Sequence, residues 1–125
     1  MKKAIIIIVI VVVAIGSIDP YSTHVINSGF KDKKPDKCLS GALLKQRMFQ
    51  HKSALNAYKK IIKKFPDFKE IGKCHYYVAY CYEKTDRPNE AMEAYNDFIN
   101  RYPKNEFAEI AKKRLTQLKI NTPEQ

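Results

Sequence analysis

The hydrophobic pattern divides the chain into two regimes. From Ala4 to Ile18 the residues are almost all Ile and Val, 15 positions with no charge and no periodicity. Beyond residue 36 apolar positions recur three and four apart, the spacing of one helical face. Ala54, Leu55, Tyr58, Ile61, Ile62 and Phe65 form one such stripe, leaving Lys59, Lys60, Lys63 and Lys64 on the other side. Pro66 stops this helix. A second helix is predicted from Phe68 to Lys84, with Ile71, Cys74, Val78, Cys81 and Tyr82 on one side. Thr85-Asp86-Arg87-Pro88 then makes a turn into a third, with Pro88 near its first position. The last runs from about Asn105 to Lys119, with Glu106 and Glu109 in its first turn, where carboxylates suit the helix dipole. The expectation is an all-α domain of about five helices over residues 36–119, after an N-terminal segment of another kind.

That segment has the layout of an export signal or membrane anchor, because Lys2 and Lys3 precede the apolar run. At 15 residues the run is shorter than the ~20 a spanning helix needs, which favours a cleaved signal. Ala14 and Gly16 are small, but Ile18, Asp19 and Pro20 follow where a clean cleavage motif would stand, which favours an uncleaved anchor. A buried apolar strand is the third alternative. In the first two, the basic N-terminus stays inside and the rest is exported, to the periplasm or held at the membrane. Residues 19–35, with Pro20, Ser22, Asn27, Gly29 and Pro35, read as a linker, and residues 120–125 as a tail.

The body of the chain repeats. Ala54-Leu55-Asn56-Ala57-Tyr58 through Phe65-Pro66 aligns with Ala91-Met92-Glu93-Ala94-Tyr95 through Tyr102-Pro103 at an offset of 37, and Phe68–Lys73 aligns with Phe107–Lys112 at 39. Each unit is a helical hairpin, and Ala42, Ala54, Ala79 and Ala91 are the small residues that let paired helices approach. A hairpin alone leaves an apolar face open, so such units are stable only when stacked. The pattern Ala79, Tyr82, Ala91, Tyr95, Phe98, Pro103 resembles the tetratricopeptide repeat. The preceding unit keeps Ala42, Ala54, Tyr58, Ile61 and Pro66 but has Lys45 where the second has Tyr82. Asp97 to Pro103 with Glu106-Phe107-Ala108 and Ala111 to Leu115 resembles the subgroup found in bacterial envelope proteins, notably the outer-membrane-assembly lipoprotein and the periplasmic protein of the Tol-Pal system. Cys38 lies too far from the apolar run to be the lipidated cysteine of the lipoprotein members.

The resemblance implies an α-α superhelix whose first helices line a groove for a partner peptide or helix. Its groove positions fall on Leu39, Leu43 and Arg47 in the first unit, Lys73, Tyr76, Tyr80 and Lys84 in the second, and Lys112 and Leu115 in the closing helix. Tyr flanked by cations offers large contact area at low entropy cost. Only Lys73 resembles the family's chaperone-tail clamp, so that activity is not implied. Two and a half repeats also leave end faces that self-association or docking onto a larger assembly would cover.

Charge adds a second reading. The chain carries 23 Lys+Arg against 13 Asp+Glu, and the surplus is local, with 12 cations and 3 acids between Lys31 and Lys69. A basic patch at Lys59, Lys60, Lys63 and Lys64 suits an acidic protein, an anionic membrane surface or nucleic acid. An exported domain meets little nucleic acid, which ranks that partner last. No C-x-x-C or H-E-x-x-H spacing exists, so no metal, cofactor or catalytic role is expected. Cys74 and Cys81, seven apart on one helix and ~10 Å along its axis, cannot bridge. Cys38 and Cys74 could meet between adjacent first helices, and buried free thiols are the alternative.

Overall fold

The computed structural model describes residues 1–123, apart from the side chains of 15–18. Six helices follow in order: α1 Lys2–Lys31, α2 Pro35–Arg47, α3 His51–Lys64, α4 Ile71–Lys84, α5 Pro88–Arg101 and α6 Ala108–Asn121. Each packs on the next in sequence, α1 on α2 through α5 on α6, which is a row of antiparallel hairpins. The all-α superhelix expected from the pattern is the fold. Ala42, Ala54, Ala79 and Ala91 are fully buried at the crossings, with Tyr58 and Ile61 beside the first pair and Tyr95 and Phe98 beside the second.

The repeat extends to its polar atoms. The buried Tyr58 hydroxyl donates to Gln46 Oε1 at 2.8 Å, and 37 residues on, the Tyr95 hydroxyl donates to Glu83 Oε2 at 2.7 Å. In each unit the second helix is thus pinned to the last turn of the first. A hydroxyl buried without an acceptor would cost about 1–3 kcal/mol, so the two acceptors are obligatory partners. Glu83 also takes both contacts of Arg114 Nη1, at 2.9 and 3.1 Å, which ties α6 to the second unit.

Three boundaries differ from the pattern. The linker expected over 19–35 is corrected: α1 continues to Lys31, and only Asp32, Lys33 and Lys34 separate it from α2. Its weak helix formers are accommodated locally, because the Ser22 and Ser28 hydroxyls turn back onto the carbonyls of Asp19 and Val25. Tertiary packing supplies the rest. Ser22, Ile26 and Gly29 form a buried stripe against α2, Phe30 stacks on Phe65 at 5.8 Å, and Lys45, only 5% exposed, reaches Asp19 Oδ1 at 2.7 Å and Thr23 Oγ1 at 3.0 Å. The other two are helix starts. α4 begins at Ile71 because Phe68 is buried in the preceding turn, and α6 begins at Ala108 because Asn105 Oδ1 accepts the Phe107 N–H at 3.0 Å and closes a turn there. Of the expected tail over 120–125, Ile120 and Asn121 end α6, and Glu124 and Gln125 lie outside the described residues.

The α1–α2 contact is close enough to require glycine. A Cβ on Gly29 would stand 2.7 Å from Cys38 Sγ and 2.9 Å from its backbone nitrogen, and one on Gly41 would stand 2.5 Å from Ile26 Cγ1. Gly29→Ala is therefore expected to destabilise the α1–α2 joint by about 1–3 kcal/mol through overpacking. Thermal denaturation in mild detergent, with protease cleavage between residues 19 and 31 as a local readout, checks this. An unchanged melting temperature and cleavage rate would refute it.

Candidate binding face on the first helices

α4 supplies the most developed surface. Lys73, Tyr77, Tyr80 and Lys84 are four, three and four apart, so they form one stripe, and all four retain solvent exposure. Tyr77 lies nearly parallel to Tyr58, ring centroids 5.4 Å apart, and meets Tyr80 edge-on at 6.4 Å. Tyr80 in turn sits edge-on to His51 at 5.8 Å. Two cations cover it: Lys84 Nζ lies 5.4 Å and Arg114 Cζ 5.0 Å from its centroid. Arg114 is fixed by Glu83, so the stack has a rigid base. Lys73 Nζ pairs with Glu70 Oε1 at 3.1 Å, which pushes its pKa up. Burial pushes the Tyr77 hydroxyl up and, with Lys84 nearby, pushes His51 down. Around neutral pH the face is thus cationic and aromatic.

Not every residue expected on this face lies on it. Leu39, Tyr76 and Leu115 are core side chains. Tyr76, 4% exposed, stacks flat on Phe107 at 4.5 Å and meets Phe98 edge-on at 5.7 Å. Its place in the expected groove is corrected: an aromatic this enclosed holds α4 to α5 and α6 and has no area left for a partner. Leu43, Arg47, Lys73, Tyr80 and Lys84 remain accessible, as does Lys112, which is exposed and paired with Glu109 at 2.8 Å. Tyr77 is the residue the pattern missed. The signal was present in the repeat itself: at the offset of 37, Tyr76 falls on apolar Leu39 and Tyr77 on polar, exposed Ser40.

The lysines of α3 do not form one patch. Lys59 approaches the Tyr82 ring at 4.8 Å, with Arg87 also on it at 4.7 Å. Lys60 lies over Phe30 at 4.3 Å and, with Lys64, Lys31 and Lys33, surrounds the Phe30–Phe65 pair. Residues three and four apart on a helix share a face, so Lys59 and Lys63 go to one flank and Lys60 and Lys64 to the other. The second flank is a basic cluster that draws on α1 as well.

A family model of the tetratricopeptide repeat matches residues 40–67 and 73–105, the first falling on α2 and α3 and the second on α4 and α5. The chain carries a pair of tetratricopeptide repeats. No curated protein matches it. Tetratricopeptide repeats mediate protein–protein interactions and are non-catalytic scaffolds as a family. α1 and α6 flank the matched pair and cover its two ends, α6 opening with the same Phe-x-Glu-Ile-x-Lys pattern that leads into α4.

The cysteines are free, buried thiols. Burial pushes Cys74 and Cys81 up to about 12 and raises Cys38, so none presents a thiolate at neutral pH. Among the described residues no group of three or more His, Cys, Asp or Glu could hold a metal. At pH 7.4 a disulfide thiol reagent is expected to modify the native chain at least about tenfold more slowly than a peptide thiol and to label all three cysteines after unfolding. Rapid labelling of Cys74 or Cys81 in the native state would reopen a nucleophilic role.

Proposed function

We propose that this protein is a membrane-anchored, non-catalytic scaffold of the cell envelope, binding an acidic peptide or helix of a partner protein across α2, α4 and α6. The observation that carries the reading is the stripe Lys73, Tyr77, Tyr80, Lys84, extended by Arg47 on α2. Two half-exposed rings are held in place by Tyr58 and by the Arg114–Glu83 pair, with cations on either side. Rigid tyrosines lose little entropy on binding, and the surrounding cations select a partner of opposite charge.

The address rests on α1. Its 18-residue apolar window has a mean hydropathy of 2.5, and no part of that window is buried against the protein. Lys2 and Lys3 before it favour a cytoplasmic N-terminus, which puts the repeats on the far side of the membrane. Of the two fates considered, we take the uncleaved anchor, because α1 also supplies Ser22, Ile26 and Gly29, the buried stripe that packs on α2, and so belongs to the folded array. The likeness of residues 97–115 to envelope tetratricopeptide proteins agrees with this address.

A second reading, an adaptor that holds an anionic surface or nucleic acid by its first-repeat lysines, draws support from Lys31, Lys33, Lys60 and Lys64 around the Phe30–Phe65 pair. High salt should release the second kind of complex fully and weaken the first only in part, since it screens exposed charge and leaves aromatic contact.

A photoreactive residue at position 80, irradiated in cells, is expected to capture one predominant protein of the envelope. Lys84→Glu or Arg47→Glu, both at exposed positions, should reduce the yield about tenfold, equivalent to about 1.4 kcal/mol, while leaving the circular dichroism and melting temperature of the chain intact. Capture of lipid alone, of nucleic acid, or of a pool insensitive to both substitutions would overturn the proposal. Protease added outside intact spheroplasts should digest the repeats, and the mass of the undigested protein should include residues 1–18.

A further inference from the structure

α1 fixes which end of the array lies next to the apolar run. Asp19 is the first residue after that run, and α2 lies antiparallel to the second half of α1. Gly29 is beside Cys38, Gly41 is beside Ser22 and Ile26, and Lys45 reaches Asp19. α2 continues past Lys45 to Arg47, so the turn into α3, Met48 to Gln50, lies on the Ile18 side of Asp19. The end of α4 joins it, for Lys84 and Thr85 share a cavity with Asp19, Lys45, Phe49 and His51. The cluster of Lys31, Lys33, Lys60 and Lys64 is at the opposite end, about 18 Å from Asp19 along α1. That is more than twice the ~8 Å screening length of physiological salt.

Phe49 at the near end is out of keeping with a water-facing turn. It is 85% exposed, and its φ of 60° is in the left-handed region. The equivalent residue of the second repeat, 37 positions on, is Asp86, with φ 57°. Asp and Asn tolerate this backbone, whereas a bulky aromatic is an outlier there. Among the described residues its ring contact is an edge approach to His51 at 6.2 Å. Tyr21, two residues past Asp19, is a second exposed aromatic at the same end, 62% accessible.

The length of the anchor supplies a reason. Fifteen apolar residues span about 22 Å as a helix, against a hydrocarbon thickness of about 30 Å. A span this short draws its flanking residues toward the bilayer. Aromatic rings are stable at that depth, and so are cations that reach the phosphates. Arg47, Lys52 and Lys84 are exposed at this end; Asp19 is offset by Lys45, leaving Asp86 as the opposing acid in the neighbouring turn.

We infer that this end of the array is a membrane-seating surface, with Tyr21 and Phe49 in the interface between headgroups and acyl chains and Lys52 on lipid phosphates. The surface rests on the anchored reading of α1 and adds a second attachment that sets the tilt of the repeats over the bilayer.

The chain has no Trp, so a single introduced indole reports its own surroundings. Full-length Phe49→Trp and Lys104→Trp, the latter in the turn at the opposite end, would be reconstituted into vesicles of phosphatidylethanolamine and phosphatidylglycerol. Indole at 49 should emit to the blue and be quenched severalfold more strongly by lipids brominated high in the acyl chain than indole at 104. Lys52→Glu, at a residue outside the partner-binding face, should diminish that difference. Phe49→Gly, which suits the left-handed backbone, should raise the melting temperature in detergent, showing that the fold does not need the ring. Vesicle-bound protein whose indole at 49 is as accessible to aqueous iodide as that at 104 would overturn the seating surface and leave the anchor standing. Loss of every variant from the vesicles on an alkaline wash would overturn the anchor, and this inference with it.

Discussion

Antiparallel helices approach most closely where the side chains at their crossing are small, and the rest of this architecture follows from that constraint. Ala42 with Ala54, and Ala79 with Ala91, are fully buried where the paired helices meet. With the backbones that close, a large residue one turn further on is enclosed on every side, which is why Tyr58, Ile61, Tyr95 and Phe98 are fully buried in a chain of only 125 residues. Enclosing a tyrosine obliges the neighbouring helix to offer an acceptor, and Gln46 and Glu83 fill that place. The exposed rings of the binding face are therefore supported by a core that is itself sterically determined.

The same rule extends to the ends of the row. A hairpin covers one flank of its neighbour and leaves its own outer flank open. At one end α1 closes the gap, and glycine takes the part that alanine plays elsewhere, since Gly29 and Gly41 leave no room for a methyl group. At the other end α6 closes it with Ala111 and Leu115 and with Arg114 on Glu83. One continuous helix thus serves both as the terminal cover of the fold and as its apolar N-terminal extension.

Much of this was legible because repeats report on themselves. The offset of 37 located the hairpins, and the alanines located their crossings. The second half of α1 was not legible, because Pro20, Gly29 and several Ser and Asn residues resemble a linker when local preference alone is considered. Ser22, Ile26, Gly29 and Phe30 do follow a helical stripe, but small and polar members hide it, and its apolar value is realised only against α2. Tyr76 and Tyr77 show the same limit. Both are compatible with a helical stripe of α4 alone; only the comparison with Leu39 and Ser40 in the first unit separates them, and the physical cause is Phe107, in the turn before α6, which buries the first. Helical spacing separates the four α3 lysines into two pairs, but the rings those pairs meet, Tyr82 and Phe30, come from other helices that no local pattern brings beside them.

The exchange of Gln46 for Glu83 gives the array a direction. A neutral amide satisfies Tyr58 with nothing more required, whereas the carboxylate at the same place in the next unit brings a charge that Arg114 answers. A copy of the first unit inserted after the second would put Cys38 where the arginine stands, leaving a partly enclosed carboxylate without its counter-ion. Whatever stacks beyond the second unit must bring a cation to Glu83, so α6 acts as a terminator written in charge.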